Sequence, residues 1–217
     1  IHIYFFNSRS RASVYGIGTY LNQVKNCILR MPGYSFNIVS LWADVSEFVC
    51  EVKEGYTLYE IPKLSTNSEE KQRCYIRNVW FLLRPHLLIE EKDQLIFHLN
   101  YIGYYDWIVW AKNDFPKCKF VLTIHYQEWC FLLNGNVSQF RKILQNQEIS
   151  TNNQISEVLH QVEIEQQLYN EVDHVVCLSY FTKTILRNYY NVSDRKISVC
   201  SMIFSAVLSD EDYLITR

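Results

Sequence analysis

Two histidines close strand-like runs. In KFVLTIHYQEW, Lys119 to Trp129, apolar Val121, Leu122 and Ile124 lead to His125, followed by Tyr126, Gln127 and Glu128. His98 takes the matching place in FHLNY on the preceding run. An imidazole at a strand end can hold a hydroxyl, pass a proton or steady a charge. Glu128 is close enough in sequence to serve as a general base or to orient the ring. The plain alternatives are a satisfied core histidine and a solvent-facing carboxylate.

The first loop offers different chemistry. NSRSRASVYGIGTYLNQV, Asn7 to Val24, places Gly16 and Gly18 ahead of a helix with apolar Leu21, Val24 and Ile28. Glycines between a first strand and a first helix let a ligand reach the backbone, and the helix amino terminus favours an anion. Arg9 and Arg11 of the same loop could meet a phosphate or could be solvated. The dinucleotide pattern Gly-x-Gly-x-x-Gly fails, because Leu21 stands at its third glycine, and no Gly-Lys-Ser/Thr is present. A nicotinamide oxidoreductase is therefore disfavoured. Ser179 ends another apolar run, where a serine most simply caps the helix from Tyr180 to Tyr190. No Gly-x-Ser-x-Gly surrounds it, which excludes the hydrolase elbow.

These residues need a frame. Strand-like runs cover Ile1 to Phe6, Phe36 to Trp42, Tyr56 to Pro62, Leu95 to Asn100, Lys119 to His125, His174 to Ser179 and Lys196 to Met202. Several are continuously apolar, as in parallel strands buried on both faces. Helical periodicity fills the intervals. It covers Glu69 to Leu83 before Pro85, Tyr104 to Phe115, and the stripe Ile155, Val158, Leu159, Val162, Tyr169 and Val172, with Thr151 or Asn152 as its cap. The alternation predicts a Rossmann-like, doubly wound α/β sheet of about seven mainly parallel strands with helices on both faces. Functional loops then lie at the carboxyl ends of the strands. The polar stretches 65–70 and 146–154 are too short to link domains, so residues 1–217 read as one domain.

Composition narrows the function. The chain has 217 residues and a net charge of -2, which argues against a nucleic-acid binder. Its seven cysteines are odd in number and contain no Cys-x-x-Cys pair. Cys177 and Cys200 lie in apolar runs and read as small buried hydrophobes. Reduced thiols and a cytosolic location are expected, with no zinc site. No apolar run reaches the roughly 18 residues of a spanning helix. The chain opens on Ile1 in a strand-like run, and no signal peptide is visible.

EVDHVVCLSYFTKTILRNYYNVSDRKISV, Glu171 to Val199, resembles a stretch of the retaining glycosyltransferases of family 4, the group 1 type. The matching features are Asp173 before a strand, Ser179 at its end, Thr182 and Lys183 in the next helix, and KISV. VLTIH resembles the family's strand ending in histidine, and YGIGTYL its glycine-rich first loop, with Tyr15 in place of the first glycine. The segments fall in the family's order over nearly the whole chain.

The resemblance implies one half of a GT-B fold, the acceptor-side amino-terminal domain. The full enzyme would transfer a hexosyl unit from a nucleotide-diphosphate sugar to a glycan or lipid-linked acceptor, with no metal and no cofactor. Gly16 or Gly18 would approach the donor diphosphate, with Arg9 and Arg11 on that side. His125 would lie near the transferred sugar, with His98, Glu128 and Ser179 as further binding candidates. The aromatic stretch Tyr101 to Trp110 offers rings that could stack on an acceptor sugar or lipid; ordinary core packing is the alternative. A lipid-linked acceptor would bring the domain to the inner membrane face. SMIFSAVLSDEDYLITR lacks the family's Asn-Gly turn, and no donor-binding domain follows. This chain alone is therefore expected to be inactive, with the donor domain supplied in cis in a longer protein. The rival expectation is a Rossmann-like module that binds a nucleotide or glycan without turnover.

Overall fold

The computed structural model describes residues 1–8, 16–64, 68–87, 93–100, 105–145 and 153–200. Eight strands form one sheet in the order β3-β4-β2-β1-β5-β6-β7-β8. They are β1 (His2–Ser8), β2 (Ser35–Ala43), β3 (Val49–Lys53), β4 (Tyr56–Pro62), β5 (Leu95–Leu99), β6 (Lys119–Ile124), β7 (His174–Cys177) and β8 (Ile197–Val199). Every pairing is parallel except that of β3 with β4. The helices are α1 (Gly16–Ile28), α2 (Glu69–Leu83), α3 (Tyr105–Asp114), α4 (Glu128–Leu132), α5 (Val137–Leu144), α6 (Asn153–Glu171) and α7 (Tyr180–Tyr189).

The strand absent from the sequence reading is β3. Its three middle residues are exposed, so it carries no buried run to betray it. It joins β4 through the two-residue turn Glu54-Gly55, with Gly55 at φ 79. A side chain at Gly55 would be strained there, and its Cβ would lie 3.3 Å from Leu29. The short helices α4 and α5 also lie outside the expected elements, and α5 starts where Asn136 accepts the Gln139 N–H at 3.0 Å.

Strand side chains alternate between two unequal layers. Tyr4, Phe6, Phe97, Leu99, Phe120 and Leu122 join the larger core, with Trp80 of α2, Trp107 of α3 and Leu168 of α6. Ile3, Phe5, Phe36 and Ile38 face the other way and meet Tyr20, Leu21 and Ile28 of α1. Trp107 and Ile108 of α3 are buried and pack as core, whereas Trp110 is half-buried against it. All seven cysteines are free. Cys177 is buried as expected. Cys200 is exposed, contrary to expectation, because it leaves the sheet from the outermost strand, β8.

Strand order fixes where a ligand can enter. From β1 the chain builds outward through β2 and β4, then returns to place β5 on the other side of β1. The crevice at the carboxyl ends of β1 and β5 is the topological switch point, where sheets of this kind bind ligands.

Candidate functional site at the sheet switch point

The polar residues gathered at this crevice lie on the thinner, α1 side. The inner stripe of α1 runs Ile17, Tyr20, Leu21, Ile28, and only its tyrosine carries a polar group. The Tyr20 hydroxyl is 2.9 Å from Thr123 Oγ1, and the same oxygen is 2.7 Å from His98 Nε2. His98 stacks on Phe5 with centroids 4.2 Å apart. Tyr20 meets the His125 ring edge-on at 5.2 Å. Three elements thus meet: α1 brings Tyr20, β5 brings His98, and β6 brings Thr123 with His125 just beyond it.

Asn100 orients the second histidine. It is 2% exposed, and its Nδ2 donates to the Phe6 carbonyl at 2.9 Å. Its Oδ1 is therefore the end facing His125, 3.0 Å from Nε2. An amide oxygen only accepts, so His125 Nε2 carries a proton. Nδ1 keeps the lone pair and has no partner among the described residues. Burial pushes the His125 pKa down to about 4. His98 is pushed down to about 3, first by burial and then by the charge His125 would carry. Both rings are neutral at pH 7. Such a site offers hydrogen bonds to hydroxyls and no imidazolium for a phosphate.

The expected residues fall out unevenly. His98 and His125 join one cluster, but not at matching places. His98 is level with Val121 and sits inside β5, and Asn100 is the β5-end residue that meets His125. Gly16 begins α1 and is exposed, and an added Cβ there would meet nothing within 4 Å. Gly18 lies half-buried in the first turn. Arg9 and Arg11 lie outside the described residues, as do Thr151, Asn152 and Tyr101 to Tyr104. Glu128 opens α4 and makes no bond to His125; its backbone N–H donates to Glu165 at 2.9 Å. Ser179 is the cap of α7, accepting the Thr182 N–H at 3.1 Å.

Sequence reasoning missed Tyr20, Thr123 and Asn100. Each left a trace. A tyrosine on an apolar helical stripe must find a partner for its hydroxyl. A threonine inside VLTIH and an asparagine closing FHLN are polar groups in buried strands, which must be bonded. Among the described residues no helix is long and apolar enough to cross a membrane.

Comparison with solved structures shows the same fold. The sucrose-phosphate synthase of Thermosynechococcus elongatus matches with a TM-score of 0.53 at 9% identity, over 94% of this chain and 91% of that one. An α,α-trehalose-phosphate synthase (UDP-forming) from Burkholderia xenovorans, solved with glucose-6-phosphate, matches with a TM-score of 0.50 at 11% identity. There the match covers 87% of this chain and 43% of that one, so this chain spans less than half of that enzyme. A search of curated proteins finds no match by sequence. The Rossmann-like sheet is the one these GT-B glycosyltransferases share. At family level residues 16–201 match glycosyltransferase family 4, and the chain belongs to that family.

Proposed function

We propose that this chain is the acceptor-side, amino-terminal half of a retaining glycosyltransferase. The intact protein transfers a hexosyl unit from a nucleotide-diphosphate sugar to a glycan or lipid-linked acceptor. A donor-binding domain in cis closes the cleft over the switch point. The protein is cytoplasmic, and a lipid-linked acceptor brings it to the inner membrane face.

The observation that carries this reading is the His125 ring, with Nε2–H held by Asn100 and Nδ1 open. A neutral imidazole with a free lone pair accepts a bond from a sugar hydroxyl. Asn100 fixes the tautomer, so the ring is ready without rearrangement. The hydroxyl pair Tyr20 and Thr123 holds the floor beneath it. The diphosphate lies at the start of α1, where Gly16 leaves the backbone bare, and Arg9 and Arg11 precede it in sequence as the candidate charges. The helix terminus and arginines take over the neutralising task, so no metal and no cofactor is needed.

The test is His125→Ala in the intact protein, assayed against a panel of nucleotide sugars. We expect transfer to fall about 100-fold, the scale of losing one positioned polar group, with the melting temperature little changed. Unaltered transfer overturns the role of His125. Sugar-nucleotide binding without transfer by the intact wild-type protein favours the non-catalytic module.

A further inference from the structure

Beneath the strand end that carries His125 lies a buried carboxyl group that the proposed chemistry does not use. Glu165 of α6 is 1% exposed. One carboxylate oxygen accepts the Glu128 N–H at 2.9 Å, and the other accepts the Tyr190 hydroxyl at 2.5 Å. We propose that Glu165 is a positioning residue of the candidate site, capping α4 from a distance and thereby fixing the loop His125-Tyr126-Gln127.

The helix it holds has no cap of its own. Gln127 stands at the N-cap of α4 in extended conformation and makes no side-chain cap bond. The first N–H groups of a helix need acceptors, and a five-residue helix has little else to hold it. Glu165 supplies one from 37 residues away. Only Tyr126 and Gln127 separate the capped residue from His125, so a shift of α4 must be taken up there. The far side is anchored through Tyr190, the cap residue ending α7. Around the carboxyl group the rings of Trp129, Phe140, Tyr169 and Tyr190 pack against one another.

This enclosure makes the cap sensitive to pH. Burial raises the Glu165 pKa to about 7, against the lowering effect of the Tyr190 and Glu128 N–H bonds. The titratable groups facing it are Glu128 and Cys130 of α4, Tyr169 of α6 and Tyr190. No cation is among them in the described residues. As a carboxylate Glu165 accepts both bonds. Once protonated it must turn its O–H toward an acceptor, and Tyr190 must then reverse its bond. The tie to Tyr190 therefore rearranges on going from alkaline solution to acid, around neutrality, while the carbonyl oxygen can keep accepting the Glu128 N–H.

The proposal rests on the functional reading only for the importance of His125, and its test needs no transfer. Side-chain 15N spectra of His125 are recorded on this chain from pH 6 to 8, for the wild type, Glu165→Gln and Tyr190→Phe. His125 itself titrates near 4, so its signals should stay flat in that range unless the loop moves. We expect a step near pH 7 in the wild type, no step in Glu165→Gln, and a step at higher pH in Tyr190→Phe, which removes a bond favouring the carboxylate. A flat wild-type profile overturns the proposal, as does a step that survives in Glu165→Gln. A step present in a protein whose intact form shows no transfer leaves the positioning role standing and overturns the enzymatic one.

Discussion

Two buried polar clusters hang from the end of β6, on opposite sides of the sheet. On the α1 side, Tyr20, Thr123 and His98 bond to one another, Asn100 bonds His125, and the Tyr20 ring meets His125 edge-on; His125 Nδ1 has no partner among the described residues. On the α6 side, Glu165 has both oxygens engaged and four rings around it. The first cluster keeps an acceptor on the cleft side; in the second both Glu165 oxygens are engaged, while Gln127 Nε2, Trp129 Nε1 and the Tyr169 hydroxyl nearby have no hydrogen-bond partner among the described residues. A binding site needs such spare capacity at a wet edge, whereas a buried carboxyl group needs its oxygens bonded where water cannot enter. One strand end thus serves both purposes because its two neighbours differ.

The largest expected difference between them is in stability. Glu165→Leu leaves the Glu128 N–H and the Tyr190 hydroxyl without acceptors in a dry site, and unmade buried bonds cost about 1–3 kcal/mol each. We expect a loss of about 2–4 kcal/mol by urea denaturation at pH 7. Thr123→Val, nearly the same shape, frees the Tyr20 hydroxyl and His98 Nε2, which lie 3.5 Å apart and can bond each other, and should cost about 1 kcal/mol. Equal losses would erase the distinction between closed and open clusters.

A smaller effect separates the clusters by the sign of their pH dependence. The native state holds the Glu165 proton up to about 7, whereas an unperturbed glutamate releases it near 4.5. In that window the native state binds the extra proton, so its stability falls as pH rises. The histidines behave oppositely. Their native pKa values, about 3 for His98 and about 4 for His125, lie below the ordinary 6.5. The unfolded chain binds those protons first, so stability falls as pH drops below 6.5. Unfolding free energies of Glu165→Gln minus wild type should therefore climb from pH 5 to 8. Those of His98→Gln minus wild type should climb as pH falls from 7 to 5. Parallel curves would mean that burial at one of the sites is relieved by water.

Much of this frame was legible in the sequence, for a physical reason. Strands buried on both faces, such as FNIVSLW and KFVLTIH, leave continuous apolar runs, and all seven expected strands exist. β3 was not legible because its middle is exposed and only its turn glycine marks it. The site was half legible. His125 and His98 stand out by residue type, but the offset between strands that pairs His125 with Asn100 is a property of sheet register. Glu165 was invisible: in a sequence a glutamate on a helix looks like surface. Only the folding of α4 and α7 around α6 buries it.

The smallest expected effect concerns the amino end of α1, which shares the openness of the His125 side. Gly16 there is exposed, its φ is not in the left-handed region, and an added Cβ would meet nothing within 4 Å. Packing does not demand a glycine. Gly16→Ala should therefore leave stability unchanged or raise it, by up to about 0.5 kcal/mol, since alanine is the better helix former and this is a terminal position. If the diphosphate rests on this backbone as proposed, the added methyl group stands in its way. Nucleotide-sugar affinity of the intact protein should then fall, by about tenfold for a loss of 1.4 kcal/mol. Stability kept with affinity lost would mark Gly16 as a glycine retained for a ligand. Both properties unchanged would detach the anion site from this helix and leave the His125 cluster as the ligand-facing part of the domain.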